Sequence, residues 1–313
     1  MPKYSDHQLR LAAKLYYVDG LSQTEVSKYV NVSQAHVSRL LALAQESGIV
    51  RISVEEYDPR DSEAEDALKK RFKLKAAVVV KSYPNMPPVN LRLAVGRFAA
   101  QSVVGLLPAN ATVAVSGGRT LRDLIVQITP ESRPLKAVLQ AMGNLDSNIT
   151  PVDSQELGRL LASHYQSPFY SLSSPAYMTD RKSRDLFLQL DQIRGMRERF
   201  NEVDVALVGI GNLSNSMFIE RGILTKKDLQ QLAKAGAVGE VCGRFFDENG
   251  RECPTVWRER VIAIEMEQLR KIPNVIAVIS GADRALALRG AIRGGIVNSI
   301  AIDDMGAAAL LAQ

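Results

Sequence analysis

The residues most able to do chemistry lie in two glycine turns. Thr112-Val113-Ala114-Val115-Ser116-Gly117-Gly118-Arg119-Thr120-Leu121 runs from an apolar strand through a polar turn into the start of a helix. Such a junction aims backbone N–H groups and the positive end of a helix at whatever lies above the strand, which suits an anion such as a phosphate. Gly117 and Gly118 permit close approach, Ser116 and Thr120 offer hydroxyls, and Arg119 brings a charge. A second turn, Ser280-Gly281-Ala282-Asp283-Arg284, follows another apolar run and also leads into a helix. The two make two anion seats, or one seat shared between them. Gly143, Gly209 and Gly211 follow two further apolar runs, and Glu240 and Asp247 beside the polar stretch 243–250 are candidate acceptors for sugar hydroxyls.

These turns need a sheet to hold them. Apolar runs at 76–80, 112–115, 137–141, 203–210, 261–265, 275–280 and 299–303 read as buried strands. Amphipathic stretches at 91–106, 121–128, 154–163, 226–235 and 284–293 read as helices. Several of the strands are almost wholly apolar, as parallel strands covered on both faces tend to be. The alternation predicts an α/β domain with a mostly parallel sheet. Ligands in such sheets sit beyond the carboxyl ends of the strands, where all of these turns fall.

The first third has a different texture. Leu9, Ala12, Ala13, Tyr16 and Tyr17 recur at helical spacing, and Asp19-Gly20 ends that helix. Ser22, with Glu25 three residues on, forms a capping box for a short second helix. After a turn at Asn31-Val32, Ser33 is expected to cap a third helix with Val37, Leu40, Leu41 and Ala44 on one face. This is a helix-turn-helix pattern, and the alternating run 49–54 is expected to add a wing strand. In that geometry the third helix enters the major groove of double-stranded DNA. Gln34, Ala35, His36, Ser38 and Arg39 are the candidates for base contact, while Ser22, Thr24 and Ser33 approach phosphates. Residues 58–72 read as a loop and then a charged helix with a narrow apolar stripe of Ala64, Ala67, Leu68 and Phe72, which suits pairing between subunits.

Composition excludes several classes. At 313 residues, 46% apolar and 23% charged, the chain reads as globular, and no apolar run is long enough for a membrane span. No secretory leader is expected at the start, and Cys242 and Cys253 read as free thiols of a cytoplasmic protein. The net charge of +5 is not concentrated at the DNA-binding pattern, since residues 1–53 hold six basic side chains against four acidic ones. His7, His36 and His164 are the only histidines. They form no nucleophile–base set and no metal-ligand spacing, and neither anion turn carries a lysine. No catalytic residue, metal or cofactor is therefore expected.

Several motifs in this order carry a resemblance: Leu21-Ser-Gln-Thr-Glu-Val, Ser116-Gly-Gly-Arg-Thr-Leu, Tyr170-Ser-Leu-Ser-Ser-Pro-Ala, Asp204-Val-Ala-Leu-Val-Gly-Ile-Gly, Gly239-Glu-Val-Cys-Gly-Arg-Phe-Phe-Asp and Ile272-Pro-Asn-Val-Ile-Ala-Val-Ile-Ser-Gly. Together they resemble the SorC family of sugar-binding transcriptional regulators over nearly the whole chain. The resemblance implies a winged helix-turn-helix at 1–56, a linker or oligomerisation helix at 57–72, and a Rossmann-like effector domain at 73–313. That domain would be similar to glucosamine-6-phosphate deaminase and ribose-5-phosphate isomerase. It implies a phosphorylated sugar effector, operator DNA as partner, and a homodimer or homotetramer with no membrane association. The Ser116–Thr120 turn would hold the phosphate and the Ser280–Arg284 turn would add to the seat. Many members carry lysine where this chain has Arg284, which keeps the charge and adds a planar fork. The alternative is a phosphosugar isomerase or deaminase with an appended helix-turn-helix.

Overall fold

The structure is a computed structural model. It describes residues 4–55, 57–129 and 134–312, so the expected domain boundary at Glu56 lies outside the described residues. The chain divides into two compact units, one ending at Tyr57 and the other beginning at Asp58.

The first unit consists of helices Asp6–Ala13, Gln23–Val30 and Gln34–Glu46, with the first continued by a wider π-helical turn over Lys14–Val18. Ala12, Val26, Val30, Val37, Leu40 and Leu41 form its core, with Tyr4, Leu9 and Tyr16 packed around them. The Ser22–Glu25 capping box forms as expected, and its hydrogen bonds hold the Glu25 carboxyl below its ordinary range. Asn31, in the left-handed conformation at φ 50°, ends the second helix and starts the turn. Two expectations are corrected. Residues 49–54, expected as a wing strand, form no strand among the described residues, and Ile52 and Val54 are exposed. Ser33 stands at the N-cap position of the third helix, but its side chain does not cap it.

Among the described residues the second unit is built on nine strands: β1 Ala76–Val80, β2 Thr112–Val115, β3 Ala137–Gln140, β4 Phe169–Tyr170, β5 Val205–Val208, β6 Gly239–Val241, β7 Arg244–Phe246, β8 Asn274–Val278 and β9 Ser299–Asp303. Seven of them form one sheet in the order β1-β9-β8-β5-β2-β3-β4, parallel throughout. Alternate residues feed two cores, as in β1, where Val78 and Val80 face one and Ala77 and Val79 the other. Helices Pro88–Val104, Arg119–Gln127 and Ser154–His164 cover the first face; Lys226–Lys234, Ala285–Arg293 and Asp304–Ala312 are among those covering the second. The strand order reverses between β2 and β5, and the helices that follow these two strands leave on opposite faces. A crevice therefore opens at their carboxyl ends. Among the described residues no helix is long and apolar enough to cross a membrane.

Helix Ser62–Phe72 belongs to this unit. Its Leu68, Ala64 and Phe72 pack into the core beside β1, and Ala67 is exposed. The buried Glu65 pairs with Arg60 and accepts from the Val79 amide at 3.0 Å. Three of the four stripe residues expected to pair between subunits are thus packed on the chain's own core, with Ala67 left exposed. The run 261–265, expected as a strand, makes only single bridges, Val261 to Tyr177 and Ala263 to Met142.

Candidate functional site

The crevice between β2 and β5 opens into a cavity of about 610 Å³. Four chain segments bring the expected residues to its lining. From β2 come Ser116, Gly117, Gly118, Arg119 and Thr120; from β5, Gly209 and Gly211; from β8, Ser280, Gly281 and Arg284; and from β6, Glu240. Ten of the twelve residues expected at an effector site are therefore brought together. Thr120 Oγ1 and Ser280 Oγ lie 3.3 Å apart, so the two glycine turns meet in one cavity.

The turn after β2 owes its shape to its glycines. Gly118 sits at φ 150° and ψ 146°, a conformation that excludes most side chains, and its amide donates to Val152 O at 2.9 Å. A Cβ on Gly209 would lie 3.1 Å from Gly117 O, a tight contact that would push the two strand ends apart by a few tenths of an ångström. The Ser116 hydroxyl is engaged within the protein, donating to Gly117 O at 3.1 Å. It accepts from the Gly209 amide at 3.0 Å and pins β2 to β5 across the switch point. The helix that follows makes its first backbone bond from Arg122 to Gly118 O. The amides of Arg119, Thr120 and Leu121 precede that bond and form the donor set at the positive helix end.

Cations and carboxylates alternate around the rim. Arg119 pairs with Glu220 at 2.7 Å, both half-exposed. Arg284 donates to Ser280 O at 2.7 Å and reaches Asp283 at 3.3 Å; burial pulls its guanidinium below its ordinary value. Arg92, which the sequence reading missed because its helix carries no motif, lines the cavity and pairs with the buried Asp123 at 2.5 Å.

Glu240 reaches the cavity on a hairpin. Cys242 and Gly243, at φ 51° and 79°, make a two-residue turn of the left-handed kind that suits the twist of paired strands. The hairpin is anchored by the fully buried Arg244, which pairs with Glu252 at 2.9 Å and Glu265 at 2.7 Å, and by Trp257, whose Nε1 donates to Gly243 O. Gly211 and Glu240 exchange backbone bonds at 2.9 Å, tying the hairpin to the loop after β5. Glu240 accepts from the Gly243 amide at 2.5 Å, yet burial outweighs that bond and pushes its carboxyl up to about 7. It is a hydrogen-bond donor when protonated and an acceptor when not. Burial also pushes the adjoining Cys242 thiol up, which leaves it inert as a nucleophile.

Two residues expected here lie elsewhere. Gly143 is not in the lining; its Cβ would strike Pro175 O at 2.4 Å, so it is glycine because another backbone segment crosses it. Asp247 closes its own turn, accepting from the amides of Asn249 and Arg251. The sequence reading also missed Asn215 and Ser216. Asn215 Oδ1 and Ser216 Oγ are buried at the lining with no hydrogen-bond partner among the described residues. Neither histidine nor lysine occurs among the described lining residues.

In the first unit, Ser22, Thr24, Ser33, Gln34, Ala35, Ser38 and Arg39 are exposed and His36 is half-buried. The whole front of the third helix is thus presented on one surface. Thr24 lies in the first turn of the helix that Ser22 caps.

Fold and cavity define an α/β unit built around a ligand-sized crevice at a topological switch point. The family model described as "Putative sugar-binding domain" matches residues 59–312, and the chain belongs to that family. It is 27% identical to the Deoxyribonucleoside regulator of Bacillus subtilis, covering 96% of each chain, and 27% identical to the Sorbitol operon regulator of Klebsiella pneumoniae, again over 96% of each. The crystal structure of the full-length sorbitol operon regulator SorC from Klebsiella pneumoniae superposes with a TM-score of 0.78 at 25% identity, over 99% of this chain and 100% of that one. The resemblance to SorC regulators drawn from the motifs is borne out.

Proposed function

We propose that the chain is a cytoplasmic DNA-binding transcriptional regulator of carbohydrate metabolism, whose operator affinity is controlled by a phosphorylated sugar. The cavity carries this reading. Helix-end amides and Arg284 suit the phosphate, while Asn215 Oδ1, Ser216 Oγ and Glu240 suit the hydroxyls of a sugar. The names of the regulators to which the chain is similar support it further. The resemblance of this unit to phosphosugar isomerases belongs to the same proposal. So does assembly as a homodimer or homotetramer, which supplies the paired half-sites that helix-turn-helix readers use.

The third helix reads base edges through Gln34, Ala35, His36, Ser38 and Arg39; Ser22 and Thr24 position the second helix on phosphates. The effector acts through its different affinity for the DNA-competent and incompetent states, since a ligand that bound both equally would shift nothing. Fluorescence anisotropy on operator DNA, with and without a panel of sugar phosphates, tests the proposal. A change in DNA affinity with one member of the panel supports it. Unchanged affinity across a panel that includes a ligand shown to bind by thermal shift overturns the effector half.

A further inference from the structure

The two serines that open the helices of the helix-turn-helix stand in the same backbone geometry, with φ and ψ of −64° and 155° at Ser22 and −70° and 158° at Ser33. Ser22 spends its hydroxyl on its own helix, accepting from the Glu25 amide. Ser33 does not. Its Oγ lies 2.7 Å from Nδ1 of His36, one turn into the recognition helix. The His36 ring is also packed edge-to-face against Tyr4, with centroids 6.3 Å apart. Val32, beside Ser33, packs on the same core as Tyr4, so the chain at Ser33 and the Tyr4 ring are both anchored. Among the described residues Nε2 has no partner.

The geometry points to Ser33 as a positioning residue for base readout by His36. The Ser33 hydroxyl donates to Nδ1, and this leaves Nε2–H as a directed donor for the acceptor edge of a guanine, N7 or O6, in the major groove. A helix side chain free to rotate would lose rotamer freedom on contact with a base. One held by Ser33 and Tyr4 has lost most of it beforehand. The inference rests on the DNA-binding reading above and assigns a specificity determinant within it.

The test is selection of a randomised DNA duplex library by the full-length chain and its variants. The wild type selects a motif with guanine at one position of each half-site. His36→Ala loses about tenfold of the preference at that position, the worth of one base-edge contact. Ser33→Ala loses preference at the same position, the double variant loses no more than His36→Ala, and Ser33→Thr restores it. Melting temperatures stay level across the Ser33 variants, because no helix cap is removed. Additive losses, or a Ser33→Ala variant that weakens all sequences uniformly, overturn the pairing and leave the DNA-binding reading standing. A wild-type chain that selects no motif overturns both.

Discussion

The turns after β2 and after β8 are written in nearly the same residues, serine, glycine, a short step and arginine, yet they do different work. In Ser116–Thr120 the backbone is open: three amides stand ahead of the first helical bond, and a neutral hydroxyl holds the strand ends together. In Ser280–Arg284 the backbone is closed. Gly281, at φ 92°, donates its amide to Asp303 at 2.6 Å, and the turn runs through a short 3-10 segment before its helix begins. What the second turn offers is the Arg284 side chain, itself held by Ser280 O. One turn supplies oriented amides and the other a charge. The difference comes from a neighbour, since Asp303 lies at the end of β9 and β9 sits beside β8 only because of the strand order.

The largest effect should come from removing that neighbour. Asp303 is fully buried and accepts from the amides of both Gly281 and Gly306. Asp303→Ala strands the buried Gly306 N–H and the half-buried Gly281 N–H and is expected to cost about 3 kcal/mol. Ser116→Ala strands one amide that a water can reach from the cavity, and about 1 kcal/mol is expected. Urea denaturation of both variants measures the pair. Equal losses would mean that the two turns are held alike after all.

Glu240, facing both turns, gives the next effect, and it is one of pH. Its carboxyl is raised from 4.5 to about 7, so between those values the folded chain holds a proton that the unfolded chain has released. Stability therefore falls as pH rises through that window, and the full penalty is present above it. At about 1.4 kcal/mol per unit the penalty is on the order of 3 kcal/mol. Glu240→Gln keeps an acceptor for the Gly243 amide and should flatten the slope, which denaturation at pH 5, 6 and 7.5 would reveal.

The sequence shows the strands far better than their neighbours. β1, β2 and β9 are legible to the residue because each is an apolar run flanked by polar breaks, the pattern that burial on both faces imposes. The β6–β7 hairpin is not, because its turn is Cys242-Gly243 and its paired residues include a buried arginine. Nor is the strand order, which decides that Asp303 meets Gly281. Glycines mark close approach without saying to what: Gly209 lies against the site, whereas Gly143 lies against Pro175. Asp247 and Ser116 are polar residues in the right neighbourhood whose hydrogen bonds close the fold on itself. Arg92, Asn215 and Ser216 enter the cavity from segments that carry no motif, and only the packing reveals them.

The last comparison is between the two arginines, read by sugar-phosphate affinity. Arg284 is mostly buried, and the carboxylate it pairs with, Asp283, also accepts from Asn215 at 2.7 Å. A phosphate beside it meets a charge that solvent screens little, so Arg284→Ala should weaken binding by about 2 kcal/mol, or roughly thirtyfold. Arg119 is half-exposed and paired with Glu220, so a phosphate must compete with that carboxylate and with water. Arg119→Ala should therefore cost only about 1 kcal/mol, near fivefold. Glu220→Gln removes the competitor and should tighten binding by a similar or smaller factor. Isothermal titration of the three variants with the effector ranks them. If Arg119→Ala proved the more damaging and Glu220→Gln had no effect, the phosphate would rest on the first turn alone, and Arg284 would serve only to hold the second turn in shape.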